Sequence, residues 1–246
     1  MTQFSTCVFG TILFTFLSSN TEAAQTAKTI TLKGNVYEWT SKGRGDLLFR
    51  QTRIDTEKTD DTGTTSQTES LYTDTVGRTV VRESMQAKNG KPTFFFFERL
   101  QTEESGKIEV RDGKAQYSYT KQGKTKTDVS DAGESFVFPP SFLIYVQTRW
   151  KEFLDGQSIS MRLAVLERLE DFGFKFFKVS ESKVQGKTLY EAKLKPTSLL
   201  IAAIVDPIEF TLDEEKIVKR VKGRMPMKKK VGEGEFEDFV GEIIYE

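Results

Sequence analysis

A chain of 246 residues with 36 basic and 36 acidic side chains has no surplus charge for neutralising phosphates, which argues against a nucleic-acid partner. Histidine is absent and cysteine occurs once, at Cys7, so serine–histidine and cysteine–histidine nucleophilic systems, zinc sites on those ligands and internal disulfides are excluded. Carboxylate, serine–lysine and oxygen-ligated metal chemistry survive that sieve, but none shows a local motif, and neither a metal nor a cofactor is expected.

Residues 1–24 read as a secretory signal peptide, with an apolar run from Cys7 to Leu17 ahead of small residues at Ala23 and Ala24, where cleavage is expected. No Lys or Arg precedes the run, and it is shorter than the roughly 20 residues that span a bilayer, so a retained anchor is the weaker reading. The expectation is export, to the periplasm, with residues 25–246 forming a single β-rich domain.

Extended structure starts near Lys28, where Ile30, Leu32 and Val36 share one parity and Tyr37 and Trp39 the other. Gly43 to Asp46 reads as a turn and Leu47 to Ile54 as a strand, whereas Asp55 to Glu69 has no apolar residue and reads as a solvated turn. Asn89-Gly90 and Asp112-Gly113 are hairpin signals. Between them, Phe94 to Phe97 must place two rings on each face of a strand.

Pro139 and Pro140 then introduce an amphipathic helix at about 141–155. Phe142, Leu143, Val146, Trp150, Phe153 and Leu154 fall on one arc at 100° per residue, with Trp150 at its middle as the expected anchor. Gly156 stops the helix, and Ile159, Met161, Leu163, Val165 and Leu169 alternate as a long strand. Phe172, Phe174 and Phe176 form the next, Gln185-Gly186 turns it, and Tyr190, Ala192 and Leu194 return. A short apolar helical turn is expected near 198–205, in the core. Ile208, Phe210 and Leu212, then Ile217 to Lys222, and finally Phe239, Ile243 and Tyr245 complete the strands. About a dozen short strands with one good helix predict a mostly β fold: a strongly curved antiparallel sheet or half-open barrel with the helix packed on it.

PTSLLIAAIVDPIEF, followed by a returning strand that ends in Gly223-Arg224, resembles uncharacterised exported bacterial proteins classed only as domains of unknown function. That resemblance covers mainly the region after Phe136 and implies no activity. In outline, a leader, a curled sheet and a helix over its face, the chain also resembles the periplasmic lipoprotein carriers. The likeness implies shelter for acyl chains, without a motif by which any carrier residue could be transferred.

Together these features suggest a non-catalytic envelope protein that binds a lipid or other apolar or amphiphilic ligand. Phe94, Phe96, Phe142, Val146, Trp150 and Phe153 are its candidate lining. A basic run offers Arg220, Lys222, Arg224 and Lys228 for an acidic partner or peripheral membrane contact, although Glu233, Glu235, Glu237 and Asp238 follow closely enough to neutralise it. One alternative is a structural or assembly factor that binds an envelope protein partner. Another is a carboxylate-dependent hydrolase using two of Asp155, Glu167, Glu170 and Asp171 across a cleft.

Overall fold

The computed structural model describes residues 26–202 and 206–246; the leader expected at 1–24 and the end of the apolar run near 198–205 lie outside the described residues. From β1 (Thr26–Thr40) the chain meanders through β2 (Gly43–Asp60), β3 (Gly63–Asp74), β4 (Thr79–Lys88), β5 (Lys91–Arg99), β6 (Glu104–Arg111), β7 (Lys114–Lys121) and β8 (Lys124–Asp131). β9 (Phe136–Val137) leads into α1 (Phe142–Thr148) and α2 (Trp150–Leu154). A second meander follows: β10 (Ile159–Val165), a 3-10 turn at Leu166–Arg168, β11 (Glu170–Val184), β12 (Lys187–Pro196), α3 (Leu199–Ala202), β13 (Ile208–Asp213) and β14 (Val218–Arg224). A ribbon of β15 (Lys229–Lys230) and β16 (Phe236–Glu237) precedes the last strand, β17 (Val240–Tyr245).

The main sheet has 15 strands, and β17 lies between β1 and β14, where it joins the two meanders. Ile243 pairs with Val36 on one side and Val221 on the other. Gly34 sits at this seam because a Cβ there would meet Ile243 Cγ2 at 2.7 Å. On the opposite face, Glu242, only 1% exposed, is clamped by Arg44 of β2 and Arg220 of β14. Burial pushes its carboxyl up, and these two arginines outweigh that and hold it below the usual range.

The sheet is curled and half-open, as the strand count predicts. Its ends, β8 and β9, do not pair with each other, but β9 is tucked against β5 and the Phe138 and Phe95 rings lie 5.7 Å apart. It is mixed rather than wholly antiparallel, because β9 and β10 run parallel. Parallel neighbours need a crossover, and α1 with α2 supply it. The hairpin signals hold: both residues of Asn89-Gly90, Asp112-Gly113 and Gln185-Gly186 have positive φ, the geometry of a two-residue turn that matches strand twist.

Several expectations are corrected. Asp55 to Glu69 is not a solvated turn; it forms the ends of β2 and β3, paired from Asp55 with Thr68 to Asp60 with Gly63. Threonine is β-branched and pairs well across strands, as Thr59 and Thr64 do at 3.0 Å, so a ladder forms there without apolar residues. The first turn lies at residues 41–42, just before the Gly43–Asp46 stretch that reads as a turn. The strand from Ile159 ends at Val165, where Leu166 to Arg168 coil and Leu169 takes a left-handed conformation. In α3, Ile201 is half-buried and Ala202 exposed, so this part of the apolar run is not core.

The helix is broken in two at Arg149 (φ −113°, ψ 24°). Thr148 turns its hydroxyl back to the Tyr145 carbonyl at 2.8 Å, and the Arg149 N–H bonds Val146 in a tighter turn. The break rotates α2, so Phe153 is fully buried while Leu154 is 37% exposed. Trp150 is half-buried rather than sealed: its ring stacks on Phe153 at 4.7 Å and meets Tyr190 edge-on at 5.7 Å.

The two anchors therefore differ in energetic weight. Phe153→Ala should cost about 3 to 5 kcal/mol, as for a buried aromatic, and the half-exposed Trp150→Ala about half of that. Thermal melts of both variants check the order; a larger drop for Trp150→Ala would contradict it.

Candidate functional site

Phe142, Val146, Trp150 and Phe153 are brought together on the inner face of the second meander. There Phe142 meets Phe210 at 5.2 Å, and Phe153 lies on Phe176 at 5.5 Å. Phe94 and Phe96 are not part of that cluster. Strand alternation sends Phe95 and Phe97 into the core, while Phe94 and Phe96 are half-buried on the opposite, outer face. The six candidate lining residues therefore do not form one site, and the space between helix and sheet is filled by packed rings.

The inner face of β2, β3, β4 and β17 carries a polar seam. Tyr245 donates to Gln51 at 2.7 Å, and Gln51 donates to the Tyr72 hydroxyl at 2.8 Å. That hydroxyl lies 3.5 Å from Glu83, while Arg53 bonds Asp55 at 2.9 Å and Thr68 reaches Asp55 at 2.6 Å. Burial pushes the Glu83 carboxyl up to about 7 against the pull of Arg53, the Tyr72 hydrogen bond and Arg99. Burial also raises Tyr245 to about 12. Glu83 as a residue is half-buried at this seam. Hydropathy passes over this seam, although parity reveals it: Glu83 stands between Val81 and Met85, both fully buried.

A second charged centre closes the curl. Arg99 is 5% exposed and ties its own strand to three other segments. Its guanidinium bonds Glu104, Glu167 at 3.1 Å and the Pro226 carbonyl at 2.7 Å, and it lies 5.0 Å from the Phe97 ring centre. Glu104 is 1% exposed and also faces the Lys121 amine at 2.9 Å. Burial raises its carboxyl, but Lys121 and Arg99 prevail and hold it below the usual range. Beside this pair is a cleft of about 300 Å³ lined by Gln101, Thr102, Glu104, Lys121, Gln122, Lys228, Gly234 and Phe236. Another, of about 440 Å³, is lined by Gln86, Thr93, Phe94, Glu109, Val110 and Arg111. Neither cleft reaches the helix or Glu83.

The basic run is dispersed into pairs. Arg220 is bound by Glu242, Lys222 by Glu209 at 2.6 Å, and Arg224 and Lys228 both by Asp238. The Lys222 amine also lies 4.5 Å from the Trp39 ring centre. Asp238 was foreseeable as a neutralising acid; Glu209 and Glu242 come from other strands and were not. The junction carboxylates are likewise distributed: Asp155 pairs with Lys151, Glu167 with Arg99, and Asp171 with Arg162, while Glu170 is exposed. No two of these four line either cleft.

Two outcomes follow from these charges. Because its folded-state pKa lies above the ordinary glutamate value of 4.5, Glu83 contributes stability in acid that is lost as pH rises toward 7. Glu83→Gln should therefore gain on the wild type between those pH values, by at most about 3 kcal/mol; urea melts at pH 5 and pH 8 with parallel shifts would contradict this. Arg99→Met strands Glu104 in the interior and should cost about 3 to 5 kcal/mol, with Arg99→Met/Glu104→Leu less damaged than Arg99→Met alone. Chemical denaturation of the three proteins checks the order.

No family model and no curated protein matches the chain. Among solved structures, it is similar to a beta-barrel-like protein of domain of unknown function DUF1849 from Brucella abortus, with a TM-score of 0.48 and 11% identity over 89% of this chain and 94% of that one.

Proposed function

We propose that this is an exported, non-catalytic envelope protein that holds a protein partner on its outer surface. The observation that carries this reading is the packing of the inner face: Phe142, Phe153, Phe176 and Phe210 fill the space where an apolar guest would lie. The larger of the two clefts instead opens on the outer side of the sheet beside half-exposed Phe94. An aromatic ring flanked by Gln86, Glu109 and Arg111 suits a protein surface, where rings anchor and polar groups set the rim. The lack of histidine, and the pairing of Asp155, Glu167 and Asp171 with cations, weigh against hydrolysis.

Protein purified from its own host should give the mass of the bare chain in native mass spectrometry, and a photo-crosslinker at Phe94 should capture one envelope protein that the same probe at Lys58 does not. Stoichiometric recovery of a lipid would overturn the reading in favour of an amphiphile carrier. Equal capture from both positions would remove the Phe94 surface.

A further inference from the structure

The edge strand β8 is built to pair with itself, and we propose that two copies of this chain associate through it, continuing the sheet across a two-fold axis at Thr127. The proposal is independent of the Phe94 surface.

The β7–β8 hairpin determines which backbone groups are free. Gln122 and Gly123 both have positive φ, 50° and 72°, so the loop is a two-residue turn, and the flanking pair Lys121 and Lys124 is hydrogen-bonded. Hydrogen-bonded and open pairs alternate along an antiparallel ladder. Lys124, Lys126, Asp128 and Ser130 therefore turn their N–H and C=O groups to β7, and Thr125, Thr127 and Val129 turn theirs outward. The same parity continues to Ala132, whose N–H bonds the Gly113 carbonyl at 2.8 Å. Among the described residues, the outward Val129 N–H is met only by the neighbouring Asp128 carboxylate, at 2.7 Å. β8 passes near β11 without pairing to it, and residues 124–129 are exposed on both faces.

Charge then selects one register. A two-fold axis normal to the sheet preserves its faces, so only residues of equal parity can stand opposite each other. With Thr127 on the axis, Lys126 faces Asp128 of the second copy and Asp128 faces Lys126, while Thr125 faces Val129. Lys124, Lys126 and Asp128 have no ion pair of their own among the described residues, unlike Asp131, which Lys114 holds at 2.6 Å. Sliding by one step in either direction sets Lys126 against Lys126 or Asp128 against Asp128, and like charges directly opposite are unfavourable. A Lys126 axis also sets Lys124 against Asp128, but only with Lys126 against Lys126; the central register alone pairs opposite charges without a like-charge pair, and it fills the axis with β-branched side chains and completes about six backbone hydrogen bonds. The ladder is much smaller than a standard interface of about 1,600 Å², so the dimer is weak and sensitive to salt.

Sedimentation equilibrium of the full chain in low salt, from about 10 µM to about 1 mM, reads it directly, because a weak dimer at millimolar affinity or better populates that range. Wild type should shift toward dimer with concentration. Thr127→Pro removes an outward donor without touching the β7 ladder, and should abolish dimerisation while leaving the thermal melt in place. Lys126→Asp should weaken association at least about tenfold, and Lys126→Asp/Asp128→Lys should restore it. A wild type that stays monomeric throughout, or a dimer indifferent to Thr127→Pro, overturns the proposal. A charge swap that fails to restore association overturns the Thr127 register.

Discussion

The molecule depends on the pairing of β17 with two strands at once. Each meander has an open edge at β1 or β14, and only the Val240–Tyr245 segment satisfies both. Unpaired buried backbone groups are costly, so these six residues decide whether there is one curled sheet or two separate ones. Both faces of the strand are secured by different means. Ile243 packs into the core on one side, and on the other the Glu242 carboxylate is held between arginines from β2 and β14. A buried carboxylate with two cationic partners is poor evidence for net stability but good evidence for register, because a slip would leave the charge unpaired.

Arg99 does similar work where the curl comes round on itself. A closed barrel would satisfy that region with ladder hydrogen bonds, whereas here the guanidinium ties β5 to Glu104, to the 3-10 turn through Glu167 and to the chain at Pro226. The result is a half-open architecture whose interior is nonetheless full. The helices fill one half as an aromatic plug, and β9 with Phe136 and Phe138 fills the other.

Local patterns made much of this legible. Alternation located most strands, and the glycine-containing dipeptides placed hairpins at Gly90, Gly113 and Gly186. The Phe94 to Phe97 run was correctly divided between two faces, but nothing in a single strand says which parity faces inward; that choice belongs to its neighbours across the sheet. Helical periodicity found the arc from Phe142 to Phe153 but could not see the break at Arg149, which depends on one threonine hydroxyl turning back on the backbone. Charged clusters were the least legible. Glu242 and Arg220 are 22 positions apart, and Arg99 and Glu167 are 68 apart, so only the fold reveals these pairs. The Glu83 seam was within reach of parity and was missed because polar residues are usually assigned to the outside.

The position of β17 also sets an order of assembly. Its partners are the first described strand and one completed by residue 224, yet β17 itself begins only at residue 240. During synthesis both meanders can fold hairpin by hairpin, but neither can bury its inner edge until this last strand arrives. For that interval β1 and β14 are exposed templates, and joining them brings together residues more than 200 positions apart, such as Gly34 and Tyr245. Such long-range closure is slow. A chain interrupted before residue 240 therefore has two sticky edges and no means of covering them, and it belongs to the class of intermediates that aggregate or require a chaperone.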